Sequence, residues 1–167
     1  MKNVWTASLG TLLLILVACS SEPTLITRPD PVPVGIDLTG NWVQVENSGI
    51  SQPEARDEAV HVFLKMGKSL KITQTEDGIF VSFDRSVVEE YRYGENRRIS
   101  IGQITADRAS GWAEKGYVIE TIDEEGALLI DTYRLRNEGE SIRRTVVLMD
   151  RDRELLSLQL DFDRAWQ

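Results

Sequence analysis

Apolar and polar positions alternate along most of the second half of the chain. Leu156, Leu158, Leu160 and Phe162 are interleaved with Ser157, Gln159 and Asp161. That is the period-two pattern of a strand with one face on a core. Ile142, Arg144, Val146 and Leu148 repeat it, with Thr145 and Val147 adding β-branched character between them. Ile79, Val81 and Phe83 make a third such run, and Leu70 with Ile72 a fourth. Between the last two lies Glu76-Asp77-Gly78, read as a hairpin turn whose glycine takes positive φ. Asp123-Glu124-Glu125-Gly126 and Asn137-Glu138-Gly139-Glu140 punctuate two further hairpins in the same way. The spacing predicts about 8–9 short antiparallel strands, closed as a barrel or stacked as a sandwich.

One segment follows a different period. Ala55, Ala59, Val62, Phe63 and Met66 recur at helical spacing. Ser51 and Glu54 make a capping box, Pro53 falls in the first turn, and Gly67 ends the run. A helix is therefore predicted over about residues 52–66, after the first strand.

The amino terminus has its own pattern. Met1 and Lys2 give a positive start, and an apolar stretch from Leu9 to Val17 follows. It is too short to span a bilayer and reads as the core of a signal peptide. It ends in Leu16-Val17-Ala18-Cys19, which resembles the lipobox of bacterial lipoproteins. The resemblance implies cleavage before Cys19, a diacylglycerol on its thiol and a further acyl chain on the new amino group. Cys19 is the only cysteine, so an oxidising compartment offers its thiol no disulfide partner. Several acyl chains anchor a protein stably where one does not. In such lipoproteins an Asp after the cysteine favours the inner membrane, so Ser20 implies the outer membrane, with the domain in the periplasm.

Residues 20–37 hold four of the five prolines, Pro23, Pro29, Pro31 and Pro33. As an extended tether they reach roughly 50 Å; alternatively part of the segment packs along the barrel wall. The organisation is thus a lipoprotein signal peptide over 1–18, the lipidated cysteine and Pro-rich tether over 19–37, and the β domain over 38–167.

Within that domain Leu38-Thr39-Gly40-Asn41-Trp42 resembles the Gly-x-Trp opening of lipocalin-like and related calycin barrels. In those barrels the tryptophan plugs one end, a structural role that falls here to Gly40 and Trp42. Gly111-Trp112, Tyr133-Arg134-Leu135 and Arg143-Arg144 also look like bacterial lipocalin-like domains of unassigned function. The Thr-Asp-Tyr motif of true lipocalins is absent, since Asp131-Thr132-Tyr133 has another order. The implied fold is a mainly β, antiparallel lipocalin-like barrel with one helix after the first strand.

Composition narrows the chemistry. The 167 residues are 28% charged with a formal charge of -8, and an acidic chain is a poor partner for nucleic acid. His61 is the only histidine; on the predicted helix it points away from the apolar stripe and reads as a solvated surface group. A Ser-His-Asp arrangement needs an imidazole, and the only one is read as solvated; one histidine does not supply a zinc site, and no metal or cofactor is expected. Glu89 and Glu90 face opposite sides of a strand and do not converge. They read as solvated charge, as does the run Asp123-Glu124-Glu125 in its turn. Asp150-Arg151-Asp152-Arg153 reads as a salt-bridged turn of little energetic weight. An enzyme is not expected.

Binding is left. Tyr91 and Tyr93 share a face of a predicted strand, and Trp112 precedes another. They are the candidate lining of a barrel mouth that takes a lipid or other hydrophobic small molecule. The competing reading is a barrel filled by its own side chains. A second functional class is an envelope adaptor, whose acidic surface and long tether suit a basic protein partner.

Overall fold

The computed structural model describes residues 24–28, 31–46, 61–114 and 116–165. The signal peptide, Cys19 and the start of the tether lie outside these residues. So do Ser51, Pro53, Glu54, Ala55 and Ala59 of the expected helix.

Ten strands make one antiparallel sheet: β1 Gly40–Gln44, β2 Ser69–Gln74, β3 Gly78–Phe83, β4 Val87–Arg92, β5 Glu95–Ile101, β6 Ile104–Ala113, β7 Gly116–Asp123, β8 Ala127–Arg136, β9 Ser141–Asp150 and β10 Arg153–Arg164. Their order is β4-β3-β2-β1-β10-β9-β8-β7-β6-β5. Every strand after β1 pairs with its predecessor except β5, which does not pair with β4, and β1 pairs with β10, which rolls the sheet into a nearly closed barrel. Mainly β and antiparallel is therefore right, while the strand count expected from sequence is low. β5 and β6 carry little of the alternation that marks the other strands. Arg98 and Asp107 stand outside, Glu95 and Arg108 point in with Arg97 in phase beside them but exposed, and no apolar alternation marks either strand.

The second correction concerns the helix. Among the described residues there is no α-helix, and residues 61–66 run as a turn and irregular backbone. Val62 and Met66, placed by their spacing on a buried stripe, are exposed, whereas His61 is buried. A weak helical period has yielded here to packing over the barrel.

The core follows the alternation closely. Ile142, Val146, Leu148, Leu158, Leu160 and Phe162 are buried, as are Leu70, Ile72, Ile79, Val81 and Phe83. Arg144, in phase with this set, is 0% exposed. The turns Asp123–Gly126 and Asn137–Gly139 form where expected, with Gly126 at φ +87 and Gly139 at φ +97. Gly78 departs: it lies in β3 without positive φ, and a Cβ there would sit 2.2 Å from the Tyr91 carbonyl oxygen. Its small size serves strand approach, while the turn precedes it.

The barrel has two unlike ends. The turns β2–β3, β4–β5, β6–β7 and β8–β9 surround Trp42 at the closed end. The turns β3–β4, β5–β6, β7–β8 and β9–β10 form the other, the mouth, over which residues 61–66 pass. Part of the expected tether lies on the wall instead. Ile26 N donates to Glu120 Oε2 at 2.9 Å and Arg28 pairs with Glu120 Oε1 at 2.6 Å. Asn96 Nδ2 donates to Thr27 Oγ1, and the Arg28 carbonyl rests on Gly111, where a Cβ would come within 2.3 Å of it. This strap buries Ala109, Val118 and Glu120 on the outer face of β6 and β7.

Candidate functional site

The barrel is sealed differently at one place. β4 and β5 share a turn but no ladder, and side chains of β6 bridge the seam between them. Arg108 Nη2 donates to the Glu90 carbonyl at 2.8 Å, and Ser110 Oγ donates to the Arg92 carbonyl at 2.9 Å. Near the mouth the seam opens into a slot lined by Phe63, Tyr91, Ile99, Ile119 and Leu129, with Glu89, Arg108, Thr121 and Asp131 as its polar members. Its free volume is about 20 Å³, room for a single water.

Charge inside this site is paired. Arg108 Nε donates to Glu95 Oε1 at 2.8 Å, and its Nη1 lies 3.7 Å from Glu89 Oε2. Its guanidinium stacks 4.7 Å from the Tyr91 ring centroid. Deeper in, Arg144 Nε and Nη2 grip Asp131, whose Oδ2 also accepts from the Tyr133 hydroxyl. Burial pulls the Arg144 guanidinium toward neutrality, but the Asp131 carboxylate outweighs it and holds the proton more firmly than usual. Burial likewise pushes the Tyr91 and Tyr133 hydroxyls well above their ordinary range, so both stay protonated. Glu89 is thus not solvated surface charge. It faces inward toward Arg108, while Glu90 faces outward to Arg92. The pair still does not converge, in keeping with strand alternation.

The sequence-derived aromatics separate. Tyr91 lines the slot. Tyr93 lies beyond the end of β4, in the turn at the closed end, where its hydroxyl donates to the Thr75 carbonyl. It packs there with Trp112 and Tyr117, at ring distances of 6.2 Å and 5.8 Å. Trp112 is fully buried and meets Tyr117 edge-on at 5.3 Å. Tyr93 and Trp112 therefore stand far from the mouth. Trp42 fills the closed end, its Nε1 donating to the Leu38 carbonyl at 3.1 Å. Arg164 lies across it at 4.2 Å, and a Cβ on Gly40 would meet that guanidinium at 2.6 Å. Sequence reasoning missed Arg108, although its phase with Ala106, Ser110 and Trp112 along β6 marks it as inward.

Residues 61–66 cover the mouth through two polar contacts. Arg144 Nη2 donates to the Lys65 carbonyl at 2.7 Å, and His61 Nε2 lies 3.3 Å from Asp123 Oδ2. His61 also packs 5.7 Å from Phe63, so its expected surface position is corrected: it is buried beneath its own segment. Burial lowers its pKa below 6.5, more than Asp123 raises it. A histidine with depressed folded pKa contributes stability above the unfolded value, lost as pH falls through the folded one. Acidifying below about pH 6.5 should therefore lower the melting temperature. His61→Phe should flatten that dependence, as read by thermal melts between pH 7 and pH 5. A variant with the same pH slope as the parent would assign the effect elsewhere.

Among the described residues no group of three or more His, Cys, Asp and Glu side chains is placed to hold a metal, and no helix is long and apolar enough to cross a membrane. No family model matches the sequence, and no curated protein matches it. Solved structures do resemble it. A secretory abundant heat soluble (SAHS) protein from Ramazzottius varieornatus aligns with a TM-score of 0.49 and 12% identity, covering 76% of this chain and 94% of that one. The REP1-NXSQ fatty acid transporter aligns at 0.46 and 10% identity, covering 78% and 97%. Secretory abundant heat soluble protein 4 from Ramazzottius varieornatus reaches 0.53 at 14% identity, over 77% of this chain and 95% of that chain. This last likeness spans nearly the whole of the other protein and is one of fold.

Proposed function

We propose that this protein is a lipoprotein of the outer membrane, anchored through Cys19, whose periplasmic barrel binds an apolar small molecule or lipid and performs no catalysis. The observation that carries the reading is the slot between β4 and β5. It is a break in the strand ladder, it opens at the mouth, and apolar side chains flank a buried arginine inside it. An apolar ligand suits that lining, its body against Ile99, Ile119 and Leu129 and its polar end toward the rim, since Arg108 is already paired with Glu95 and Glu89. The interior ion pairs favour binding over chemistry, because each buried guanidinium already has its carboxylate. The lipobox and Ser20 supply the address.

The slot as it stands has room for about one water, so a ligand enters by displacing Phe63. That ring belongs to the segment over the mouth, held by the two contacts of Arg144 and His61. Phe63→Ala should therefore bind a fluorescent long-chain fatty acid at least tenfold more tightly than the parent, equivalent to about 1.4 kcal/mol. Phe63→Trp should bind it more weakly. Titration by fluorescence, with circular dichroism confirming the fold, reads both. A folded Phe63→Ala variant that takes up no probe would remove the slot as the binding site.

A further inference from the structure

We infer that the slot between β4 and β5 selects its ligand by head group. It takes an apolar body ending in a protonated amine in preference to the matching carboxylic acid, and Glu89 is the residue that discriminates. The inference rests on the binding slot proposed above and adds the charge of the ligand.

The donors inside the slot are committed. Arg108 Nε donates to Glu95 Oε1 and its Nη2 to the Glu90 carbonyl, both at 2.8 Å. Arg144 directs Nε and Nη2 to Asp131 and the Lys65 carbonyl, and its Nη1 lies on the Met66 sulfur. The guanidinium nitrogen left for a ligand is Arg108 Nη1, and it stands beside Glu89. A carboxylate entering to reach it meets Glu89 as a like charge at close quarters, which disfavours the charged form of both.

Acceptor capacity is distributed the other way. Glu95 accepts from Arg108, Arg97 and Ser110, and Asp131 accepts from Arg144 and Tyr133. Glu89 Oε2 is 3.7 Å from Arg108 Nη1, beyond hydrogen-bond reach, and among the described residues Glu89 accepts no side-chain or backbone hydrogen bond. Its side chain is 26% exposed and points inward near the mouth end of β4, where the polar end of a bound chain comes to rest. An ammonium brings three donors and no acceptor, and Glu89 has the lone pairs to receive them. The Tyr91 hydroxyl senses the same field. After burial, the charges of Asp131 and Glu89 push its pKa up, ahead of the opposing pull of Arg108 and Arg144.

The way in has the same sign. On the β3–β4, β5–β6 and β7–β8 turns Arg85 is the single cation among the described residues, against Asp84, Asp123, Glu124 and Glu125. The acidic turn is tied to the start of β6 by the Thr105 hydroxyl, which donates to Glu124. Next to it Ile101 and Ile104 are exposed. Carboxylates beside an apolar edge suit a cationic amphiphile at the entrance and steer it there.

The test is displacement of an uncharged naphthylamine dye from the full chain carrying Cys19→Ser, in which no acyl chain competes. Dodecylamine, dodecanol and dodecanoate share one apolar body and differ in charge at pH 7. Dodecylamine should bind about tenfold more tightly than dodecanoate, with dodecanol between them. The same order is expected in Phe63→Ala, where all three bind more tightly. Glu89→Gln should bring the amine to the level of the alcohol, and Glu89→Asp should keep the preference. Glu125→Gln removes the same charge from the rim and should also keep it, which separates the slot from general attraction to an acidic surface. Circular dichroism checks the fold of each variant. Equal affinity for amine and carboxylate, or a preference that survives Glu89→Gln, would overturn the selectivity and leave the slot standing. No displacement by any of the three, or displacement that Phe63→Ala and Phe63→Trp leave unchanged, would overturn the slot itself and the selectivity with it.

Discussion

Replacing Arg144 with methionine should cost about 3–5 kcal/mol of folding stability, the penalty for leaving one partner of a buried ion pair behind. Arg144 is 0% exposed and donates to Asp131 at 2.7 Å and 2.9 Å and to the Lys65 carbonyl at 2.7 Å. Its guanidinium also stacks against Phe83 and Tyr133, at 5.0 Å and 5.5 Å. Methionine replaces the length and the apolar packing but none of the donors. Among the described residues, the Tyr133 hydroxyl alone is then left to meet the charge of the buried Asp131. The double variant Arg144→Met with Asp131→Leu removes both charges and should recover most of the loss, because the desolvation of a buried pair rivals its attraction. Urea unfolding of the parent, both single variants and the double variant measures this directly. A loss below about 1 kcal/mol for Arg144→Met would mean that water reaches Asp131 and that the interior is wetter than its packing implies.

That ion pair shows how far the sequence could be read. Ile142, Arg144, Val146 and Leu148 were recognised as one face of one strand, and the structure buries all four. The inward arginine was thus visible in the pattern. Its partner was harder, because Asp131 lies on β8 and pairing across strands depends on register. β5 and β6 stayed hidden for the same physical reason that makes them interesting. Glu95, Arg108 and Ser110 point into the barrel, so the polar interior erases the alternation by which strands are recognised. The slot lies against these strands. Tyr91 keeps phase with β4 and so lines the slot, whereas Tyr93 leaves that face because β4 stops at Arg92. His61 was misread for want of tertiary contacts: its segment follows the mouth of the barrel, and helical spacing alone said otherwise.

The Gly-x-Trp motif was legible as a motif, and the structure supplies its mechanics. Trp42→Ala should cost about 3–5 kcal/mol, the range for deleting a fully buried large aromatic. The ring is 0% exposed, and its loss opens a cavity and leaves the Leu38 carbonyl without its donor at 3.1 Å. It also removes the surface on which Arg164 lies, and Arg164 ties Thr39 and Gly139 together at 3.0 Å each. Three separate stretches of chain therefore meet through one indole. Trp42→Phe keeps most of the buried area and loses the N–H, so about 1–2 kcal/mol is expected. Urea titrations of both variants give the two numbers, and a smaller loss for alanine than for phenylalanine would refute this account. Fatty acid uptake by a folded Trp42→Phe variant should match the parent, because the slot opens at the opposite end. The two ends of the barrel then have separable roles, one rigid around an indole and an arginine, the other held by few enough contacts to open.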